Sequence, residues 1–114
     1  MSNAINKIKP QNDWVVIKPK SGDEKLFSGL YLPESLLKGR ELIMGYIIKF
    51  GPGYPQRGDT ILSNNPIVEY LPLELEEGHL AYYFNGTFAE LQKSSETYHV
   101  VRYSEIILTE NTIH

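Results

Sequence analysis

The sequence predicts a small all-β domain, a barrel or sandwich made from one chain of 114 residues. Three observations carry this. Aromatic residues suit half-buried pleated surfaces, and the chain has eight Tyr, four Phe and one Trp. Nine Gly and seven Pro cut it into short pieces, the punctuation of strands and turns. No stretch keeps a helical apolar period long enough to stand as a helix of ordinary length. A chain of this size supports one core, so a single domain over residues 1–114 is expected, with no linker and no internal repeat.

Asp13-Trp14-Val15-Val16-Ile17-Lys18 alternates around β-branched residues and is expected to stop at Pro19, giving a first strand. Residues 19–29 carry no sustained period and read as a mobile loop. Within it Gly29 and Pro33 bracket three large apolar residues, Leu30-Tyr31-Leu32. Glu34 to Lys38 fits one helical turn, with Gly39 as its stop. Gly45 to Phe50 is the next strand, ended by the turn Gly51-Pro52-Gly53. From Tyr54 to Asn65 the signals are turn-like throughout. Leu71, Leu73 and Leu75 then alternate with Pro72, Glu74 and Glu76, one extended half-buried segment that Pro72 places at an edge. Glu77-Gly78 turns the chain into the strand His79 to Phe84. Asn85-Gly86 predicts a hairpin with a type I′ turn, because both residues tolerate positive φ, and Thr87 to Leu91 returns. A polar connection from Gln92 to Glu96 leads to the strand Thr97 to Arg102. Tyr103-Ser104-Glu105 turns into a closing strand, Ile106 to Thr109.

Composition narrows the function. Eleven Lys and Arg against fourteen Asp and Glu leave a formal charge of −3, with no basic excess to hold a nucleic-acid backbone. No apolar run approaches the roughly 18 residues of a membrane span, and no secretory signal pattern opens the chain. Cysteine is absent, which excludes disulfides, thiolate metal sites and thiol catalysis and suits a reducing cytoplasm. His79, His99 and His114 lie too far apart to suggest a metal pair. No Gly-x-Ser-x-Gly elbow is present, and the run Glu69, Glu74, Glu76, Glu77 reads as a solvated acidic face. Gly51-Pro52-Gly53 lacks the helix and the Lys-Ser/Thr of a phosphate cradle. Asn85-Gly86-Thr87 and Arg57-Gly58-Asp59 match a glycosylation sequon and an adhesion tripeptide, but both read as turns. The expectation is a non-enzyme with no catalytic residue, metal or cofactor.

Leu30, Tyr31 and Leu32 remain, with two readings open. They are either a short strand buried in the core or an exposed anchor on a flexible loop, made to grip a partner groove. On the triplet alone the buried strand is the plainer reading; the polar, Gly-interrupted flanks support the second, since they hold too little apolar surface to order themselves.

With these residues in place, the chain resembles the ten-kilodalton co-chaperonin (GroES) family over roughly residues 8–108. Ile8-Lys9-Pro10 followed by Asp13 to Lys18 is similar to the family's opening Pro-x-x-Asp-x-Val strand. Ser28-Gly29-Leu30-Tyr31-Leu32-Pro33 resembles the end of its mobile loop, where Gly precedes an apolar tripeptide. Gly45 to Gly53 falls where the family has Gly, an apolar strand and Gly-x-Gly. Leu75 to Leu80 matches its Val-Gly-Asp turn, and Ser104-Glu105-Ile106-Ile107-Leu108 its closing Asp-Ile-Leu. Trp14 stands where a basic residue is usual, His79 replaces the common Asp, and residues 54–70 depart from the family's roof hairpin. These differences mark a divergent member.

The resemblance implies an irregular β-barrel with a mobile loop at about 19–40 and a roof segment at about 54–70. It implies a homo-heptameric ring that caps a large GroEL-type barrel chaperonin and encloses folding client proteins. Neither nucleic acid nor membrane enters that role. ATP is bound by the chaperonin, so this chain needs no cofactor. Leu30, Tyr31 and Leu32 are the implied chaperonin-binding residues, with Gly29 and Pro33 shaping the bound turn. Residues near 8–16 and 104–110 are the implied contact between neighbouring subunits, although the same strands also suit closure of the subunit's own barrel. The alternative is a ring-forming structural or assembly protein that kept the barrel and lost chaperonin binding.

Overall fold

A computed structural model describes residues 7–20, 33, 35, 38–57, 68–93 and 95–111. Eight strands account for most of them: β1 (Trp14–Lys20), β2 (Leu42–Phe50), β3 (Tyr54–Arg57), β4 (Val68–Leu71), β5 (Leu80–Phe84), β6 (Phe88–Lys93), β7 (Glu96–Arg102) and β8 (Ile106–Glu110). Six form one sheet in the order β6-β7-β1-β2-β5-β8, and β3 pairs with β4 as a separate ribbon. Every adjacent pair runs antiparallel. The all-β reading holds.

The sheet curls so that its two halves face each other. β5 and β7 are not neighbours in the sheet, yet the Tyr83 hydroxyl of β5 lies 2.8 Å from Nδ1 of His99 on β7. Phe88, on the outermost strand β6, meets the Tyr83 ring edge-on with centroids 5.7 Å apart. Two bulges help the bend. Val16 pairs with Lys49 but Ile17 with Ile47, which leaves Ile48 as an extra residue. Tyr82 pairs with Leu108 but Tyr83 with Ile106, which leaves Ile107 extra. An inserted residue raises the local twist and bends its strand.

Alternation sorts each strand into two faces. Val15, Ile17, Ile47, Leu73, Ala81, Tyr83 and Val101 form the principal core. Leu42, Met44, Leu80 and Tyr82 form a second cluster on the opposite face of the β2-β5 pair, with Leu108 of β8 against it. β5 is thus buried on both faces, which explains its unbroken apolar run, Leu-Ala-Tyr-Tyr-Phe. The turn Gly51-Pro52-Gly53 locks against the segment before β1: Gly51 donates to the Trp14 carbonyl and Gly53 to that of Asn12. A Cβ on Gly53 would stand 1.9 Å from the Leu71 carbonyl oxygen, at a φ of +121°, so only glycine fits.

The structure corrects several local expectations. β1 does not stop at Pro19 but runs to Lys20, with Pro19 opposite Gly45. The β7 ladder ends at Ile17, so the N–H that proline lacks is not needed on that side. Residues 54–57, read as turn, form β3, because β4 supplies a pairing partner from across the chain. Leu71 is exposed at the end of β4, while Leu73 alone of its alternating set is buried. The polar connection expected at Gln92 to Glu96 shrinks, since β6 continues to Lys93 and β7 starts at Glu96. Asn85-Gly86 does not close a hairpin. The Phe84-to-Thr87 turn bond is present, but Asn85 keeps a negative φ and no ladder joins β5 to β6 among the described residues. It is a corner that carries the chain from one half of the curled sheet to the other.

Candidate functional site

Gly29, Leu30, Tyr31 and Leu32 lie outside the described residues, and Pro33 is exposed. What the fold does place is the pair of roots from which that segment departs. Lys20 ends β1 and Glu41 directly precedes β2, and these two strands are antiparallel neighbours. The chain therefore leaves and re-enters the sheet at the same end.

The returning root is fastened. The Asn85 N–H donates to the Glu41 carbonyl at 2.8 Å. Asn85 Nδ2 donates to Glu41 Oε1 at 3.0 Å. The Arg40 guanidinium sits 4.0 Å over the Phe84 ring. Lys38 and Gly39 both hold positive φ, a reversal that delivers the chain to this clamp. Glycine takes that conformation without cost, while the helical turn expected from Glu34 to Lys38 lies mostly outside the described residues.

A second feature escaped the residue-by-residue reading. An apolar groove of about 380 Å³ crosses the outer face of β1, β7 and β6. Trp14 and Val16 supply its floor with Ala89, Leu91 and Val100, and Ile8 and Pro10 form a wall. Its legible signal was the run Trp14-Val15-Val16-Ile17, which is apolar on both faces rather than one. Residues 8–16 thus line a groove, while residues 106–110 form β8 at the far edge of the sheet.

The groove has a rigid frame. Asp13 is only 2% exposed and accepts two hydrogen bonds from Arg102, at 2.9 Å from Nη2 and 3.2 Å from Nε. The same guanidinium lies 5.0 Å over the Trp14 ring, and the Tyr103 N–H donates to the Asp13 carbonyl. Nearby, Glu96 accepts from Lys18 and from Tyr98. The bonds from Tyr98 and Lys18 hold the Glu96 carboxyl below its usual range, and the same bond raises the Tyr98 hydroxyl.

The titratable groups do not converge on a reaction centre. His99 stacks on Phe88 at 3.7 Å and bonds to Tyr83 inside the core. Burial lowers the His99 imidazole below its ordinary value, with the Glu90 carboxylate pulling the other way. Burial also raises the Tyr83 hydroxyl. His79 faces Glu76 across 3.0 Å on a turn. Glu69, Glu74, Glu76 and Glu77 are all exposed. Among the described residues no three His, Asp or Glu gather as metal ligands, and no helix is long and apolar enough to cross a membrane.

The comparisons with known proteins agree with this geometry. Residues 7–109 match the family described as Chaperonin 10 Kd subunit. Similar proteins include the Co-chaperonin GroES of Rhodothermus marinus, 32% identical over 101 residues that cover 89% of each chain. That of Chloroherpeton thalassium is 29% identical over 87% of this chain and 93% of its own. The Streptomyces albus G protein is 26% identical over 94% and 95%. Nothing among these favours a ring protein that has lost the co-chaperonin role. A curled all-β sheet with both ends of one long segment rooted side by side, matched along nearly its whole length, places this chain in the chaperonin 10 kDa subunit family as a divergent co-chaperonin.

Proposed function

We propose that this chain is one subunit of a ring-shaped lid that caps a GroEL-type barrel chaperonin and encloses folding clients. In this reading Leu30, Tyr31 and Leu32 enter an apolar groove on the chaperonin rim, with Gly29 and Pro33 shaping the turn. The observation that carries it is the clamped root: Glu41 and Arg40 are pinned to Asn85 and Phe84, so the segment is presented from one fixed end of the sheet. ATP belongs to the chaperonin in this scheme, and the chain acts by binding alone. Its family is not one of enzymes.

The energetics favour many weak grips. Burying one large apolar side chain is worth about 1.5–3 kcal/mol, so three offer roughly 6 gross. Ordering a binding segment costs about 2–5 kcal/mol or more. One copy therefore holds weakly, and several copies on one ring hold together through effective concentration. Such a cap is tight when seated and still able to leave.

The ring itself is read as a homo-heptamer closed by the groove of one subunit and the β8 region of the next. An apolar groove at one side of the sheet and the edge strand β8 at the other support a head-to-tail contact. The cysteine-free composition fits a reducing cytoplasm. The test is the triple variant Leu30→Ala, Tyr31→Ala, Leu32→Ala. It is expected to keep the ring mass by light scattering and to lose ATP-dependent co-sedimentation with a GroEL-type chaperonin. Normal co-sedimentation would remove the tripeptide from the mechanism.

A further inference from the structure

The corner between β5 and β6 has the chemistry of a modification site. Seven asparagines occur in the chain, and only Asn85 is followed by glycine. Both residues are exposed, and nothing lies within 4 Å of the space a Gly86 Cβ would fill. The Gly86 N–H has no hydrogen-bond partner among the described residues. A backbone nitrogen that is unhindered and has no partner among the described residues, one residue after an asparagine amide, is a candidate nucleophile.

We propose that Asn85 is a self-modifying site, where the Gly86 nitrogen converts the side-chain amide to a carboxylate and so loosens the clamp on Glu41. The Gly86 nitrogen loses its proton to solvent base and attacks Asn85 Cγ. The Cγ–Nδ2 bond breaks and the nitrogen departs as ammonia, leaving a five-membered succinimide. Water then opens the ring at either carbonyl, giving an α-linked or a β-linked acid. The balance is one water consumed and one ammonia released, with no oxidant or reductant.

The partner gives the site its consequence. Asn85 Nδ2 is the donor to Glu41 Oε1 at 3.0 Å, and it is the atom that leaves. A carboxylate would then face a carboxylate, with no donor between them. Like charges at this range repel, and one of the bonds that fasten the returning root is lost. The same hydrogen bond restrains the amide before reaction, so Glu41 both slows the conversion and suffers from it.

The test uses the free full-length chain, so it stands apart from whether residues 21–40 bind a chaperonin. During incubation at mildly alkaline pH, peptide mass mapping is expected to show amide-to-acid conversion at position 85 ahead of the other six asparagines. Glu41→Ala should speed it by about two- to tenfold, the range set by one side-chain hydrogen bond. Asn85→Asp should lower the thermal midpoint by about 2–8 °C, and adding Glu41→Gln, whose amide donates to the new carboxylate, should restore most of the loss. Conversion at Asn85 no faster than elsewhere overturns the proposal. So does an Asn85→Asp loss that is unchanged by Glu41→Gln.

Discussion

Tyr83→Phe isolates one bond in the core and reads its worth at two pH values. Tyr83 is fully buried, and its hydroxyl lies 2.8 Å from His99 Nδ1. One proton is shared between the hydroxyl and Nδ1, and the His99 tautomer sets which of them donates. Removing one oxygen opens no cavity of consequence but leaves Nδ1 without its partner. A buried polar atom stripped of its bond costs about 1–3 kcal/mol. Part is returned because phenyl desolvates more easily than phenol, so a loss of about 1–2 kcal/mol is expected at pH 8. For a domain of this size that is roughly 4–12 °C in melting temperature.

Protonation supplies the second reading. Burial already lowers the His99 pKa, so the native state favours the neutral ring while the unfolded chain protonates near 6.5. That stability is present above the unfolded pKa and drains away as pH falls through it toward the folded value. Tyr83→Phe leaves the ring buried, so the acid-side loss is expected in variant and wild type alike. Urea denaturation at fixed protomer concentration, at pH 8 and pH 5, measures both quantities. A cost below about 0.5 kcal/mol at pH 8, or a wild-type stability that does not fall between pH 8 and pH 5, would refute the account.

Three further outcomes follow from the packing. Gly53→Ala meets the Leu71 carbonyl at 1.9 Å with a φ of +121°, and should cost at least about 2–4 kcal/mol in chemical denaturation, because backbone lies on both sides. Arg102→Ala leaves the Asp13 carboxylate buried and unpaired; since Arg102 itself is half exposed, about 2 kcal/mol is expected, with little rescue by Arg102→Lys, which lacks the fork. Leu91→Glu puts a charge into the apolar groove and should shift light scattering to smaller species with the subunit still folded by circular dichroism.

Much of the fold was legible because strands here declare themselves by β-branched and aromatic runs. Val15 to Ile17, Tyr46 to Ile48, Leu80 to Tyr83 and Val100 to Arg102 all fall inside strands. Pairing was less legible, because it is a property of distant segments. Asn85-Gly86 has hairpin chemistry, yet its flanks find better partners in β2, β8 and β7 than in each other. Tyr54-Pro55 reads as turn until Tyr70-Leu71 arrives to pair with it. The site divides in the same way. The tripeptide Leu30-Tyr31-Leu32 is visible as an apolar anomaly among polar residues, whereas the clamp at Glu41 and Asn85 joins positions 44 apart in sequence and leaves no local pattern. The groove combines β1, β6 and β7, and no single one of them spells it out.

The side-by-side roots also have a mechanical meaning. A pull on the segment between Lys20 and Glu41 tugs β1 by its last residue and β2 by its first, both along their own axes. β1 is held against it by β7, and β2 by β5, through ladders that run parallel to the force. Such a load is shared by all rungs at once and cannot unzip them one by one. A load applied through this segment would have to shear both ladders whole before the sheet began to come apart.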